Sequence, residues 1–149
     1  MQLHRRVFLS GAVAVSALLA LPRALLAAFP AKAFDAKDAD EALTELLGSA
    51  EHTPSDQITL TAPDIAENGA VVPISVATTI AGAEAISVLV EQNPQPLVAS
   101  FDLTPGVAAD VSTRIKMGKT GDVVAVVKAG GKLHSARKSV KVTIGGCGG

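Results

Sequence analysis

Residues 107–117 read VAADVSTRIKM and form the clearest alternating stretch of the chain. The odd-numbered positions are mainly apolar, whereas the even-numbered ones include Asp110, Ser112, Arg114 and Lys116. Successive side chains of a β-strand point to opposite faces of a sheet, so a period of two predicts a half-buried strand. Arg114 and Lys116 are then expected on its solvent face, where contact with a partner protein is a second interpretation.

Six further stretches on either side of this one have a similar strand pattern. The runs NPQP at 93–96 and AGGK at 129–132 are turn sequences, and the second is typical of a hairpin. Pro73 has no N–H group to donate, so its strand is expected at a sheet edge or with a bulge. Seven short strands with no helices between them predict an all-β, immunoglobulin-like antiparallel β-sandwich. The further strands are expected at 57–61, 72–76, 86–90, 97–103, 122–128 and 133–144.

One short helix is predicted before the strands, at 38–47. Asp38 and Glu41 have the residue types and spacing of a capping box, with Asp38 as the N-cap and Glu41 reaching back to it. Apolar residues then fall on a single stripe, and Gly48 stands where a left-handed residue would end the helix. Such a helix needs an apolar surface to lie on. Capping explains both carboxylates without acid–base chemistry.

The first 28 residues are typical of a targeting segment. Arg5 and Arg6 begin the run RRVFL, and an apolar stretch at 11–21 follows that is too short to span a bilayer comfortably. Paired arginines followed by Phe and Leu resemble the twin-arginine signal, which exports folded proteins. Cleavage is expected after Ala28 or, at the latest, after Ala33. An ordinary secretory signal is the alternative; either way the mature protein is expected to be soluble, outside the cytoplasm and free of the membrane.

Composition argues against two classes of binding protein. The chain has no Trp, no Tyr and only four Phe, so the aromatic platforms on which sugars and single-stranded nucleic acids stack are scarce. Its formal net charge is −1, and removing residues 1–28 discards three arginines and no acidic residue, which leaves −4. A mildly acidic domain has no electrostatic footprint for nucleic acid.

The segment 145–149 reads GGCGG and contains the only cysteine of the chain, Cys147. Its four glycines, Gly145, Gly146, Gly148 and Gly149, add nothing to a core, and glycine loses the most backbone entropy on ordering. The segment is therefore expected to be a flexible arm behind the 34–144 domain. Extended residues span about 3.4 Å each, so Cys147 would reach roughly 10 Å beyond Ile144. A thiol with glycine neighbours can enter a narrow cleft on another protein.

Other roles for Cys147 fit its surroundings less well. It has no partner cysteine in the chain, so a disulfide would have to be intermolecular. A single cysteine without a histidine cluster makes a poor metal site, and the ending does not match a prenylation signal. A catalytic thiol needs a nearby base, cation or helix N-terminus, and the segment supplies none. A negative neighbour such as the Gly149 carboxylate also disfavours the thiolate. These points indicate a thiol that is activated only inside other proteins, as in a carrier.

The whole pattern resembles the SoxY family, the sulfur carrier subunits of the Sox thiosulfate-oxidising system. The resemblance rests on RRVFL at 5–9, on the all-β domain behind a short helix, and on GGCGG at 145–149, which matches the family's carrier motif residue for residue. It implies that Cys147 bears the sulfur substrate on an arm formed by Gly145, Gly146, Gly148 and Gly149, in the periplasm. No resident cofactor, metal or catalytic residue is implied.

The resemblance also implies a set of partners. A SoxZ-like subunit, which has no export signal of its own, would form a heterodimer with this chain. A Sox haem enzyme would couple thiosulfate to Cys147, and a hydrolase would release sulfate and leave a persulfide. In some systems a sulfur dehydrogenase then oxidises the remaining sulfur.

Two competing functions remain at the level of sequence. The first is a structural immunoglobulin-like subunit whose cysteine forms an intermolecular disulfide, which predicts a stable crosslink on non-reducing electrophoresis. The second is a thiol peroxidase or oxidoreductase, which predicts turnover by the isolated protein. The glycine context of Cys147 argues against the second function, because it supplies no group that would activate the thiol.

Overall fold

The computed structural model describes residues 29–144 of the chain. The segment 1–28, with Arg5 and Arg6, and the segment 145–149, with Cys147, lie outside these residues. In the described part, two short helices precede nine strands: α1 (Ala31–Asp35), α2 (Ala39–Leu47), β1 (Thr53–Pro54), β2 (Ile58–Thr61), β3 (Ile65–Ala66), β4 (Val72–Thr78), β5 (Ala83–Val90), β6 (Leu97–Asp102), β7 (Asp110–Ile115), β8 (Gly121–Ala129) and β9 (Lys132–Val142).

The predicted short helix is α2. The Asp38 side chain accepts hydrogen bonds from the backbone N–H groups of Asp40 (2.9 Å) and Glu41 (3.3 Å), which satisfies two donors that the first turn leaves free. The prediction that Glu41 reaches back is wrong, because no hydrogen bond among the described residues joins its side chain to Asp38. Gly48 ends the helix with φ of 86°, the left-handed conformation that glycine adopts without strain.

A helix that the sequence did not predict, α1, packs beside α2. It has only five residues and no side-chain cap, so it leaves no readable apolar period. Its central residue Ala33 is 1% exposed and belongs to the same buried cluster as Leu43 of α2. Phe29 stacks on Phe34 with ring centroids 5.0 Å apart. No helix within residues 29–144 has the length and apolar character needed to cross a bilayer.

The strands form two sheets, which confirms the predicted sandwich. The larger sheet has the order β1-β9-β8-β5-β6, with β3 also on β9, and the smaller has the order β2-β4-β7. All seven predicted strands are present, and they pair antiparallel. The strand in the opening stretch is shorter than predicted: Val107 N–H donates to the Thr104 carbonyl at 3.2 Å, and Gly106 has φ of 88°, so a turn occupies its first residues.

The two additional strands depart from the antiparallel prediction. Both have two residues and run parallel to β9, with Thr53 opposite His134 and Ile65 opposite Lys141. Between them the chain leaves β9, forms β2 in the smaller sheet and returns. Strands of two residues are too short to show a period in sequence. Their effect is to cover the outer edge of β9 near both of its ends.

The larger sheet is buried on both faces. One face meets the smaller sheet through a cluster that includes Val76, Ile86 and Val127, all 0% exposed. The other face is covered by the helices, through Leu43 and Leu89 among others. Burial on both sides explains why β5 and β8 read as nearly continuous apolar runs. The predicted apolar surface for α2 is thus the outer face of the larger sheet.

The position of Pro73 corrects one expectation. Its strand β4 is the central strand of the smaller sheet, and its pairings with β2 and β7 contain no bulge. Pairing with β2 ends at Thr61 opposite Ser75, whereas Pro73 lies opposite Arg114 on the β7 side only. The missing N–H group is therefore tolerated because β2 stops short of it.

Candidate functional site

The predicted attachment residue, Cys147, is five positions after Val142, the last residue of β9. Every residue from Lys132 to Val140 is paired with β8, and Val140 is fully buried. Val142 N–H donates to Thr120 Oγ1 at 2.9 Å, and the same hydroxyl donates to the Val142 carbonyl at 3.3 Å. The strand that leads to the predicted arm is therefore fixed along its length.

The two residues after β9 are held by the loop that follows β3. Thr143 N–H donates to the Ala66 carbonyl at 3.1 Å, and the Thr143 hydroxyl donates to the Glu67 carbonyl at 3.1 Å. Gly69 N–H donates to the carbonyl of Ile144 at 2.8 Å. The chain is thus hydrogen-bonded to the sandwich up to Ile144, three positions before Cys147.

The loop at 67–71 is itself held in place. The Asn68 side chain accepts a hydrogen bond from Ala70 N–H at 2.9 Å, and the Asn68 carbonyl accepts one from Val71 N–H at 3.3 Å. Met117 N–H, just beyond β7, donates to the Gly69 carbonyl at 2.7 Å. The point where the chain leaves the sandwich is therefore a tied junction of β9, this loop and the end of β7.

An ion-pair cluster lies on β9 before this junction. The Arg137 guanidinium makes a bidentate pair with Glu91 (2.6 and 2.9 Å) and also contacts Asp122 at 2.9 Å. The hydrogen bond that Asp122 accepts from Arg137 holds the pKa of Asp122 below the ordinary value of 3.8. Hydrogen bonds to Glu91 and then Asp122 raise the pKa of Arg137. The cluster joins β8, β9 and the turn that follows β5.

We expect Arg137→Ala to lower the free energy of unfolding by about 1 kcal/mol at neutral pH, because a bidentate ion-pair network stabilises the fold more than a single surface ion pair does. Because the folded-state pKa of Asp122 is depressed, this contribution is complete above the unfolded value of 3.8 and is lost as pH falls through the folded pKa. Urea unfolding at pH 7 and pH 3 measures it. Lys138→Ala is the control, because its partner Asp64 is 90% exposed; an equal loss for both variants, or no pH dependence, would contradict the prediction.

The predicted solvent-face cations occupy two different settings. Arg114 lines an open groove of about 580 Å³ on the smaller sheet, beside Pro73 and the end of β2. Lys116 follows β7, and its carbonyl accepts a hydrogen bond from the Asn93 side chain at 2.7 Å. Lys116 directly precedes Met117, whose N–H donates to Gly69 in the tied junction, whereas Arg114 lies opposite Pro73 at the groove.

The two histidines of the described part are in structural positions. His52 Nδ1 lies 2.9 Å from Ser135 Oγ, in the segment between α2 and β1. His134 is on β9 opposite Thr53 and is partly buried. Within residues 29–144 no group of three His, Cys, Asp or Glu side chains is placed to hold a metal ion.

Sequence reasoning did not single out the residues around the junction. Ile65, Val71 and Ile144 are large apolar residues with exposed fractions of 57%, 52% and 67%. Ile65 and Val71 stand near alternating strand residues, where the sequence favours burial. Their exposure depends on which segments meet at the end of β9, and no local pattern reports that.

The model of the family described as "SoxY: Sulfur oxidation protein SoxY" matches residues 43–147, which include Cys147. No curated protein matches the chain. The solved structure of the sulfur carrier protein SoxY from Chlorobium limicola f thiosulfatophilum is similar, with 50% identity and a TM-score of 0.64. That match covers 70% of this chain and 96% of the other. With its two-sheet fold and a family match over most of its length, the chain belongs to the SoxY family.

Proposed function

We propose that this protein is a covalent carrier of sulfur intermediates in thiosulfate oxidation, with Cys147 as the attachment point. The observation that supports this most directly is the tied junction: hydrogen bonds hold the chain up to Ile144, and a glycine-flanked thiol follows three positions later in a family of sulfur carriers. Glycine at 146 and 148 places no side chain beside the thiol. The arrangement suits presentation of a bound group to other proteins, which makes the protein a carrier and not an enzyme.

We propose that Cys147 is first loaded with thiosulfate and that sulfate is then released from it. In loading, the cysteine sulfur joins the outer sulfur of thiosulfate; the thiol loses its proton, a sulfur–sulfur bond forms, and an electron pair passes to a Sox haem enzyme. In release, a hydrolase adds water across the bond between the outer sulfur and the sulfone, which yields sulfate, one proton and a persulfide on Cys147. Where a sulfur dehydrogenase is present, it takes six electrons from the remaining sulfur while three water molecules supply oxygen and release protons, which leaves a sulfonate on the Cys147 sulfur; a second hydrolysis then yields sulfate and restores the thiol.

We also propose a SoxZ-like subunit as the stable partner. Among the longer strands of the described part, three are paired on one side only: β6 with β5, and β2 and β7 each with β4. The edge of β6 reads LVASFD and has no charged residue before Asp102, so it lacks the charges that usually protect an exposed edge. A partner subunit that covers such an edge gives the heterodimer a physical reason.

The proposed location is the periplasm, reached by twin-arginine export through Arg5 and Arg6. Of the two cleavage positions considered, the packing of α1 favours the earlier one, after Ala28. Cleavage after Ala33 would remove a residue that is 1% exposed and would separate Phe29 from Phe34. The folded sandwich keeps these contacts only if the mature chain begins before α1.

Intact-mass spectrometry of protein purified from thiosulfate-grown cells tests the proposal. We expect adducts of one S2O3 unit and of added sulfur, localised to Cys147 by peptide mapping and removed by dithiothreitol. The same spectra report the N-terminus of the mature chain. An unmodified thiol in every preparation argues against the carrier function, and a stoichiometric disulfide to another protein on non-reducing electrophoresis favours the structural alternative.

A further inference from the structure

The chain has two asparagines, Asn68 and Asn93, and the residue after each one decides how its side chain can react. The backbone nitrogen of that following residue can attack the side-chain amide carbon and close a succinimide ring. Asn93 precedes Pro94, whose nitrogen carries no hydrogen and cannot form the imide. Asn68 precedes Gly69, which has no Cβ to hinder the approach and gives the backbone the most conformational freedom. Asn68 is therefore the one asparagine of the chain that is suited to this reaction.

The side chain of Asn68 is accessible and polarised. It is exposed, in the loop at 67–71 that forms part of the tied junction. Its oxygen accepts a hydrogen bond from Ala70 N–H at 2.9 Å, as in an Asx turn, so the side chain lies along the backbone that follows it. A hydrogen bond to this oxygen draws electrons from the amide carbon, which is the atom that the Gly69 nitrogen would attack.

The attacking nitrogen, in contrast, is occupied in the folded protein. Gly69 N–H donates to the Ile144 carbonyl at 2.8 Å, which fastens the last described residue to the sandwich. The Gly69 carbonyl accepts a hydrogen bond from Met117 N–H at 2.7 Å, so the peptide groups on both sides of Gly69 are fixed. Ring closure needs the nitrogen to lose its hydrogen and to turn toward the Asn68 side chain. The hydrogen bond to Ile144 must therefore open first.

We propose that Asn68 is a site of spontaneous deamidation whose rate is set by the hydrogen bond between Gly69 and Ile144. In ring closure the Gly69 nitrogen bonds to the side-chain carbon of Asn68, its hydrogen passes to the departing amine, and ammonia leaves. Water then opens the imide at either of its carbonyl groups, which yields aspartate or isoaspartate at position 68. The reaction needs no oxidant, cofactor or enzyme, and Cys147 takes no part in it.

The imide and the tied junction exclude each other. The imide nitrogen has no hydrogen and cannot donate to Ile144. Isoaspartate restores the N–H group, but it places one extra carbon in the backbone and adds a negative charge next to Glu67. The loop then no longer holds its donor and acceptor at the spacing that Ile144 and Met117 require. Deamidation to isoaspartate therefore releases the chain at the point where the segment 145–149 begins.

Intact-mass spectrometry of the full chain, incubated at physiological temperature and mildly alkaline pH, measures the rate. The comparison is a synthetic peptide of residues 66–71, AENGAV, which has no junction. We expect the folded protein to react at least about tenfold more slowly than the peptide, because ring closure waits for local opening. The mass change should map to Asn68 and be absent from Asn68→Asp, which already has the product carboxylate and can still accept the hydrogen bond from Ala70.

Two matched variants test whether the junction controls the rate. Thr143→Val removes the hydroxyl that donates to the Glu67 carbonyl at 3.1 Å, and it keeps the backbone N–H, so it loosens the junction with little change of shape. Thr78→Val removes a bond of the same kind, to the Gln57 carbonyl at 3.0 Å, at the end of β4 far from the loop. We expect deamidation about fivefold faster in Thr143→Val, as for the loss of one hydrogen bond from the closed form. Thr78→Val should react at the wild-type rate.

Hydrogen exchange gives a second measurement, made on deamidated protein separated by ion exchange. The amides of Gly69 and Thr143 should exchange faster in the isoaspartate form than in the unmodified protein, and unchanged exchange would overturn the release of the chain. Equal rates of deamidation for folded protein and peptide would overturn control by the junction, and so would equal rates for Thr143→Val and Thr78→Val. A protein and a peptide that both keep Asn68 intact would overturn the site itself.

Discussion

Replacing Cys147 by serine is expected to reduce thiosulfate-dependent electron transfer in the reconstituted Sox proteins to the level measured without carrier. The serine hydroxyl cannot form the sulfur–sulfur bond on which every later step depends. Reduction of the haem acceptor on addition of thiosulfate measures the effect. The melting temperature should be unchanged, because both buried clusters of the described part lie within residues 33–140.

Alkylation supplies an independent control for this substitution. Since Cys147 is the only cysteine of the chain, iodoacetamide modifies no other thiol, and alkylated wild type should be as inactive as Cys147→Ser. A serine variant that retained more than a small fraction of wild-type turnover would show that sulfur is carried elsewhere. A variant that failed to fold would place Cys147 in the sandwich and contradict the proposed arm.

Placing leucine at both Gly146 and Gly148 is expected to lower kcat/KM for the loaded carrier by about a hundredfold. A side chain on each neighbour of the cysteine must enter the same cleft, and forcing extra methylene groups into a fitted site costs about 1–3 kcal/mol. At about 1.4 kcal/mol for each factor of ten, the upper end of that range gives the stated loss. Sulfate release by the hydrolase is the measurement.

A series of variants with side chains of increasing size distinguishes hindered entry into the cleft from a change in the reactivity of the thiol. The matched variant with alanine at both positions should lose less activity than the leucine variant, because its side chains are smaller. The rate of alkylation by iodoacetamide should be the same in all three proteins, since a small reagent needs no cleft. Equal kcat/KM for the leucine variant and the wild type would refute the role of the glycines, whereas slowed alkylation would trace the loss to the thiol itself.

Most of the sandwich follows from local pattern. The alternation around Asp110 and Arg114 is exact over β7, and the apolar runs of β5 and β8 are long enough to identify strands. Local pattern does not show which strands pair with one another. Pro73 has the properties of an edge residue, yet it is tolerated in a central strand because β2 ends before reaching it. The two-residue strands β1 and β3 are defined only by their pairing with β9.

The candidate site likewise has one part that the sequence predicts and one part that depends on strand pairing. The predicted attachment point depends on five consecutive residues at 145–149, so a motif is enough to propose it. The tied junction depends on Ala66 and Thr143, which are 77 positions apart in sequence and meet through the pairing of β3 with β9. Exposure of an apolar residue is a property of the assembled surface, and a single sequence does not report it.

The position of β9 has a mechanical consequence. In the proposed carrier function, a partner protein that dissociates while Cys147 is still bound in its cleft pulls on the C-terminal end of β9. A load along the strand axis is perpendicular to the hydrogen bonds that join β9 to its neighbours. Every residue from Lys132 to Val140 lies opposite a residue of β8, and β1 and β3 pair with the other edge of β9. A load along the strand therefore acts on all of the ladder hydrogen bonds together and not on one at a time. In the proposed carrier cycle, a pull on Cys147 is therefore resisted by the whole β8–β9 ladder at once, and the sandwich stays folded while partner proteins bind and release the cysteine.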